Sequence, residues 1–364
     1  MLTLVHVADL HLGAKYAFLP EDKAEICQEM QMKLLERILD HASDISAEVI
    51  LIPGDLFDDP TPPAALASRT FALLGKACCP VLISPGNHDY LGPKSPYLTM
   101  SMPENVFVFQ STRLTPYFLH PDTVIWGAAF ASANAFIPFD APLDPQHLNV
   151  LSIHGDLKGT SGYNPVDSAQ LSDSEFDYAA FGHNHTYSGI QHSGHTAYAC
   201  PGCMMGLAST DTGKKGFLSG IVDKDGANLR FYYPNAIRFE EIDIPITQVT
   251  EDRELAALVR DHLPEQCERV CATLFLLGER KYEPDLEGLE EALSQLFFHC
   301  FIRDRSHVRR DPWDYMQRDD LLGAVTRRYH VMLDAAENQI EQARLLRSLG
   351  YALAALEGET ELPE

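Results

Sequence analysis

Gly182-His183-Asn184-His185 places two imidazoles one residue apart, directly after the run Asp177-Tyr178-Ala179-Ala180-Phe181. That run reads as a buried strand. Residues i and i+2 of a strand share a face, and in a loop just past a strand two such rings can still converge on one ion. Gly182 permits a sharp turn there. Alone, His-x-His is weak evidence for a metal. Four other strand ends add to it. Asp9-Leu10-His11 follows Leu2, Leu4, Val5 and Val7; Gly54-Asp55 follows Val49-Ile50-Leu51-Ile52. Gly86-Asn87-His88-Asp89 follows Val81-Leu82-Ile83, and His154-Gly155 follows Val150, Leu151 and Ile153. Each word has an ordinary explanation as a turn or a helix cap. In α/β sheets, however, sites collect at the carboxyl ends of strands. Five such ends in order, bearing oxygen and nitrogen donors without thiolate, describe one polynuclear site for manganese, iron or zinc.

The ordered set D-x-H, G-D, G-N-H-[DE], H and G-H-x-H resembles the pattern of the calcineurin-like metallophosphoesterase superfamily. Within it, Ala8-Asp9-Leu10-His11-Leu12-Gly13, Gly54-Asp55-Leu56-Phe57-Asp58 and Phe176-Asp177-Tyr178 look like the words of SbcD-type DNA repair exonucleases. Pro201-Gly202 and Gly213-Lys214-Lys215-Gly216 look similar too, so the resemblance covers roughly residues 1–235. It implies a four-layer α/β sandwich, two mixed sheets between helices, with the metals at the strand ends of one edge. It also implies a ligand set. Asp9, His11, Asp55 and His185 would surround one metal, and Asp55, Asn87, His154 and His183 the other, with Asp55 as the bridge. The nuclease branch implies manganese. His88, outside the ligand set, is expected to orient phosphate or protonate the leaving 3′-oxygen. Asp89 is expected to hold the far nitrogen of that ring. Asp58 stands where some relatives carry His; it is either an outer carboxylate of the site or the cap of the next helix.

The chain has 364 residues, ample for a sizeable core and for two domains or more. No apolar run approaches the ~20 residues of a membrane span. The first strand begins almost at Met1, so no signal peptide is expected and the protein is read as cytoplasmic, away from membranes. Cys200-Pro201-Gly202-Cys203 has C-x-x-C spacing, but no helix signal follows Cys203 and no second pair has zinc-finger spacing. Reduced, non-functional thiols are expected. The formal net charge is −24. Nucleic acid is bound by basic surfaces, and bound cations would restore positive charge only locally. Either a partner supplies the basic surface or the substrate is not DNA.

Periodicity predicts the elements that position these residues. Strands are expected at 1–8, 48–52 and 80–84. One helix spans 20–43, with Ile26, Met30, Leu34 and Ile38 at helical spacing, and another leads from the Pro-rich turn 58–63 to Gly75. A long loop, 90–105, lies beside the site. Further β segments fall at 106–109, 115–119, 123–128, 149–153 and 178–181, with a Pro-rich stretch at 136–145 in place of a helix. The last β pair is 196–199 with 216–223, turning at Asp225-Gly226. From Arg238 the order is strand 239–244, helix 252–262, strand 270–277, helix 286–296 and strand 297–302, a small domain of its own.

The predicted divisions are 1–237, the metallophosphoesterase domain; 238–310, an α/β segment resembling a nuclease capping domain; and 311–364, C-terminal helices. There Leu321, Leu322, Val325, Tyr329, Met332 and Leu333 form one apolar face, followed by Ile340, Leu345, Leu349, Leu353 and Leu356. The resemblance implies that these helices grip an SMC-like ATPase. The end of the chain, from Gly358, reads as a disordered acidic tail. Arg303, Arg305, Arg309 and Arg310 form the only basic cluster. Lys15, Tyr16, Lys94, Tyr97, Lys158 and Tyr163 lie on loops after metal-bearing strands, either simply solvated or meeting phosphate and base.

These features predict a manganese-dependent DNA exonuclease or endonuclease of DNA repair, the nuclease subunit of an ATPase–nuclease complex. One rival is another metallophosphoesterase, acting on cyclic nucleotides or phosphoproteins, as the acidic charge favours. The other is a non-catalytic metal-binding scaffold, against which stand the full ligand set and His88. Cleavage polarity and association of two copies as a homodimer stay open.

Overall fold

The computed structural model describes residues 1–157, 159, 162–234, 236–308 and 311–358. It divides into two compact units. The first is Met1–Glu241 with Pro264–Thr273 and Ser294–Cys300; the second is Ile242–Leu263, Leu274–Leu293 and Phe301–Glu364.

The first unit begins β1 (Leu2–His6), α1 (Glu21–Asp44), β2 (Val49–Ile52), α2 (Ala64–Leu74), β3 (Val81–Ile83), the short α3 (Pro96–Thr99) and β4 (Val106–Val108). It continues through β5 (Thr115–His120), β6 (Thr123–Gly127), β7 (Leu148–His154), α4 (Ser168–Ser174) and β8 (Tyr178–Gly182). β9 (Gln191–Ser193), β10 (Thr196–Ala199), β11 (Phe217–Asp223) and β12 (Gly226–Tyr232) complete its two sheets. These are six-stranded, in the orders β12-β11-β1-β2-β3-β4 and β5-β6-β7-β8-β10-β9. β1 to β4 run parallel, as do β6, β7, β8 and β10; antiparallel strands β11 and β12 close one edge of the first sheet, and antiparallel β5 and β9 close both edges of the second. The expected pair of mixed sheets is present.

Strands covered on both faces read as continuous apolar runs, and β2 is buried throughout. Their side chains still alternate between two layers. Leu2, Leu4, Val49, Leu51, Val150 and Ala180 fill the core between the sheets. Leu151, Ile153, Ala179 and Phe181 face outward, where Phe139, Ala141 and Leu143 of the Pro-rich stretch cover them. α1 packs on β1 and α2. Its buried face runs through Ala24, Cys27, Gln31, Leu34, Leu35 and Ile38. Ile26, expected on that face, is exposed; the apolar stripe starts one position away and carries a polar residue.

The last β pair differs from expectation. Thr196–Ala199 pairs with β8 and β9, whereas Phe217–Asp223 lies in the other sheet, between β1 and β12. The turn before Gly226 joins β11 to β12, a strand the sequence reading left out. It also left out α4, although Asp167 and Gln170 form a reciprocal capping box there. Lys224, in the β11–β12 turn, reaches across to buried Asp177 at 3.0 Å, which also accepts the Asn149 amide at 2.7 Å. This ties the two sheets together away from the loops described below.

The remaining elements are β13 (Arg238–Pro245), α5 (Asp252–Asp261), β14 (Val270–Leu277), β15 (Glu279–Arg280), α6 (Leu286–Ser294), β16 (His299–Asp304), β17 (His307–Val308), α7 (Leu321–Asp334) and α8 (Gln339–Leu356). β13-β14-β16 is a three-stranded sheet and β15-β17 a two-stranded one. α7 and α8 pack on each other, each started by a side-chain cap, Asp320 and Asn338. Leu349 and Leu353 are buried, while Leu321, Val331, Ile340, Leu346 and Leu356 are exposed. Arg305 lies over the Phe275 ring at 3.7 Å and Arg303 over Phe301 at 5.9 Å. Lys158, Arg309, Arg310 and the tail 359–364 lie outside the described residues. Among the described residues, no helix is long and apolar enough to cross a membrane.

Candidate metal centre

The carboxyl ends of β1, β2 and β3 in one sheet and of β7 and β8 in the other bring the expected residues together. The chain keeps pairing beyond the strands: Asp9 N donates to the Gly54 carbonyl at 3.2 Å, and His11 N to the Asp55 carbonyl at 2.9 Å. Gln31, the polar residue on the α1 stripe, donates to the carbonyls of Leu10 and His11 at 3.0 and 2.8 Å. The Asp9 carboxylate accepts the His183 amide with both oxygens, at 2.9 and 3.0 Å, which fastens the His-x-His loop to the β1 loop. Two glycines admit this crowding. A Cβ on Gly54 (φ +95°) would meet His154 Nδ1 at 2.2 Å, and one on Gly182 would meet the Pro53 carbonyl at 2.2 Å.

The donor atoms face one another at short range. His154 Nε2 lies 2.7 Å from Asn87 Oδ1 and 3.4 Å from Asp55 Oδ2. His183 Nδ1 lies 3.2 Å from the same Asn87 oxygen, and His11 Nε2 lies 3.7 Å from Asp55 Oδ2. Asp9, His11 and His185 bring one donor atom each within 4.8 Å of one another, and so do Asp9, Asp55 and His154.

Proton placement decides what these contacts are. His154 Nδ1 donates to the Pro53 carbonyl at 3.0 Å, so its Nε2 is a lone-pair nitrogen set against an amide oxygen and a carboxylate. His11 Nδ1 donates to Asp58 Oδ1 at 3.0 Å, and its buried Nε2 has no hydrogen-bond partner. A buried acceptor without a donor is costly. Donor atoms converging from buried Asp9, Asp55, His11 and His154 and half-buried Asn87, His183 and His185 fit divalent cations.

Electrostatics agree for the protein without ions. Burial raises Asp55 above the usual carboxylate range, against the pull of His154 and His11. Burial, with the His154 ring next, takes His183 down to about 4, keeping it a neutral donor at physiological pH. The hydrogen bond from His11 holds Asp58 below its usual value. For His185, burial pulls downward, but the bond to Asp211 and the charges of Asp9 and Asp211 outweigh it and the net direction is up.

His88 stands beside this cluster, its ring 4.6 Å from that of His11 and its side chain 44% exposed. The His88 amide donates to Asp55 Oδ1 at 2.9 Å. Its ring is not held by Asp89. The Asp58 carbonyl accepts from His88 Nδ1 at 3.0 Å, while the Asp58 carboxylate lies 3.7 Å away. Asp58 thus touches both His11 and His88, and it is the outer carboxylate of the two sequence options. Asp89 turns inward instead. Its buried carboxylate accepts the amides of Gly86, Leu56 and Asp55 at 2.7, 2.9 and 3.2 Å and the Tyr97 hydroxyl at 2.6 Å. With the Phe57 amide at 3.4 Å, five donors already surround it, so no oxygen is left for the His88 ring.

Other expected contacts separate by exposure. Lys15 and Lys94 are exposed, whereas Tyr16 and Tyr97 are buried and cannot stack on a base. Tyr163 is half-buried, its ring 5.4 Å from His183. Cys200 and Cys203 are buried and form no disulfide, and their thiols point at the carbonyls of Asn184 and His185 at 3.1 and 3.6 Å. Sequence reasoning missed Gln31, the Pro53 carbonyl and Asp211. Only Gln31 left a signal, a polar residue at a buried helical position.

Residues 2–187 match the family model for the calcineurin-like phosphoesterases. The chain belongs to this family, whose members use a dinuclear metal site. An uncharacterized metallophosphoesterase of Bacillus subtilis, YhaO, is 27% identical over 298 residues, 76% of this chain and 72% of its own length. The DNA double-strand break repair proteins Mre11 of Aeropyrum pernix and Methanopyrus kandleri are 28% and 26% identical, over 56% and 51% of this chain. The match spans 54% and 45% of their own lengths, about half of each.

Proposed function

We propose that this chain is a manganese-dependent phosphodiesterase of the DNA repair nuclease type, SbcD-like in its motifs, acting on DNA in the cytoplasm with an SMC-like ATPase. The observation that carries this reading is the convergence of Asp9, His11, Asp55, Asn87, His154, His183 and His185 beside a half-exposed His88. The Mre11 proteins, named for DNA double-strand break repair, support the nuclease branch. In this reading Asp9, His11, Asp55 and His185 hold one ion, and Asp55, Asn87, His154 and His183 the other. Divalent ions held there would supply charge stabilisation for an in-line displacement and would lower the pKa of a bound water.

The rest is done by the chain itself. His88 meets the scissile phosphate or moves a proton to the leaving oxygen. The Asp58 carbonyl holds its Nδ1, so Nε2 is the nitrogen that faces substrate. Asp89 keeps the 54–57 and 86–89 turns in register and touches no substrate. We further propose residues 1–237, 238–310 and 311–364 as nuclease, capping and partner-docking segments. The exposed Leu321, Val331, Ile340 and Leu346 are the anchors for the ATPase. Such a partner would also bring this acidic chain to DNA.

The net charge of −24 favours a second reading, a phosphoesterase for cyclic nucleotides or phosphoproteins. One experiment decides. The purified chain with Mn2+ is given linear duplex DNA, single-stranded circles, a cyclic nucleotide and a phosphopeptide, with and without the ATPase. Metal-dependent cleavage of DNA, stimulated by the ATPase, is expected. Turnover confined to the cyclic nucleotide or phosphopeptide overturns the nuclease reading, and no turnover on any substrate leaves a metal-binding scaffold.

A further inference from the structure

We propose that Asp211, held by Lys215, is a positioning residue that presents His185 to a metal ion; this rests on the dinuclear reading above. Three imidazoles of the centre are held alike. His11 gives Nδ1 to Asp58 at 3.0 Å, His154 to the Pro53 carbonyl at 3.0 Å, and His185 to Asp211 Oδ2 at 3.2 Å. These oxygens accept, so each neutral ring carries its proton on Nδ1 and its lone pair on Nε2. Outer acceptors of this kind fix the tautomer and ring plane of metal-binding histidines and raise their basicity. Asp58 and Pro53 lie within the family-matched residues 2–187; Asp211 lies beyond them.

Asp211 is itself anchored. Its carboxylate forms an ion pair with Lys215 Nζ, and the two side chains are 14% and 10% exposed. The Leu207 amide donates to Oδ2 at 3.2 Å and the Cys203 thiol lies 3.6 Å from it. Lys215 also donates to the His185 carbonyl at 2.9 Å. Ring and backbone of His185 are therefore gripped by one mostly buried pair, where solvent screens little. His185, Cys203 and Asp211 bring donor atoms within 4.8 Å, the pattern of a further cation site. The Lys215 ammonium already supplies the positive charge there, so the cluster is a support for His185. It also gives the word Gly213-Lys214-Lys215-Gly216 a role in the site.

The test is titration of Mn2+ alone into metal-stripped, full-length wild type, Asp211→Asn and Asp211→Ala, read by calorimetry and electron paramagnetic resonance. Wild type is expected to take up two ions with a coupled signal. Asp211→Asn keeps the shape and one oxygen for Nδ1 but loses the charge. It should fold as wild type does by circular dichroism and bind one of the two ions about 10–100-fold more weakly, giving an uncoupled signal at limiting metal. Asp211→Ala should be at least as weak; should it fail to fold, Asp211→Asn decides. A purely scaffolding carboxylate would leave the affinity of each site unmoved in the folded variant. Wild-type affinity for both ions in folded Asp211→Asn thus overturns the proposal. A wild type that takes up no Mn2+ overturns the dinuclear reading itself, so the two failures are distinguishable.

Discussion

Asp89→Asn separates a catalytic carboxylate from a structural one. Oδ1 accepts the Gly86 and Asp55 amides at 2.7 and 3.2 Å; Oδ2 accepts the Leu56 amide at 2.9 Å, the Tyr97 hydroxyl at 2.6 Å and, at the edge of bonding range, the Phe57 amide at 3.4 Å. Asparagine can keep the first oxygen, and the Tyr97 hydroxyl can turn to accept from the new NH2 group. The buried Leu56 amide is then left facing a donor. An orphaned buried donor costs about 1–3 kcal/mol, with the upper end fitting the loss of a charged acceptor. Each kcal/mol moves the melting point of a domain this large by about 2–4 °C, so a fall of roughly 6–12 °C is expected in the metal-free protein. Mn2+ affinity should fall with it, because the Leu56 amide that loses its acceptor adjoins Asp55. Calorimetric melting of metal-stripped wild type and variant measures the first effect, and Mn2+ titration the second. Unchanged melting and full Mn2+ uptake with a rate loss of about 10²-fold or more would refute this reasoning and return Asp89 to the chemistry.

His88→Gln should keep both ions while losing about 10²–10⁴ in rate, the usual scale of acid–base assistance; metal analysis showing lost ions would make His88 structural. His6 is fully buried between Tyr178 OH at 2.8 Å and the Phe181 carbonyl at 3.0 Å, and burial takes it down to about 4. The unfolded chain therefore binds a proton below pH ~6.5 that the folded one refuses until about 4, and stability should fall across that window by about 3 kcal/mol. Urea midpoints of wild type and His6→Gln should converge as pH drops through it; a constant gap would show that His6 titrates normally. Replacing Cys200 and Cys203 together by Ser keeps hydroxyl donors toward the carbonyls of Asn184 and His185. Two bound ions and a melting point within a few degrees are expected, whereas a bound zinc lost on this change would make the thiols ligands.

The strand ends were legible because they depend on local pattern. A buried parallel strand is a short apolar run, and a polar word at its end is visible without knowing its neighbours. The pairing of strands was not. Thr196–Ala199 and Phe217–Asp223 lie near each other in sequence but in different sheets, and nothing in either run names its partner. The α1 stripe slipped because Ile26 is apolar yet exposed, while Gln31 is polar yet buried to bond two carbonyls of the metal loop. Asp89 was misassigned for a related reason. Sequence adjacency to His88 suggested a dyad, whereas the turn aims consecutive side chains in different directions, and Asp58, thirty positions earlier, holds the ring. Asp211 left no signal because an outer acceptor can come from any oxygen that the fold brings near, even a carbonyl such as that of Pro53.

Backbone geometry adds one consequence for how the centre assembles. Asp9, His11, Asp55 and His183 all have positive φ, at 51°, 45°, 52° and 89°. The left-handed region costs a residue bearing a Cβ about 1–2 kcal/mol, so four of the proposed ligands sit in conformations that must be enforced. The enforcing bonds are protein ones. Asp9 holds the His183 amide, Asp89 holds the Asp55 amide, and Gln31 holds the His11 carbonyl. These bonds predict a site shaped by the protein itself, with little metal-binding energy spent on folding it, unlike small domains that fold only with metal. Removing the ions should leave the secondary structure intact and lower melting only by the mass-action term, which grows with free metal concentration over Kd. The same rigidity keeps lone pairs of His11, His154, Asn87 and Asp55 opposed at short range, a repulsion that a bound cation relieves. Under the proposed function, preorganisation of this kind would let the protein reserve its metal affinity for holding two ions as in-line displacement at phosphorus requires.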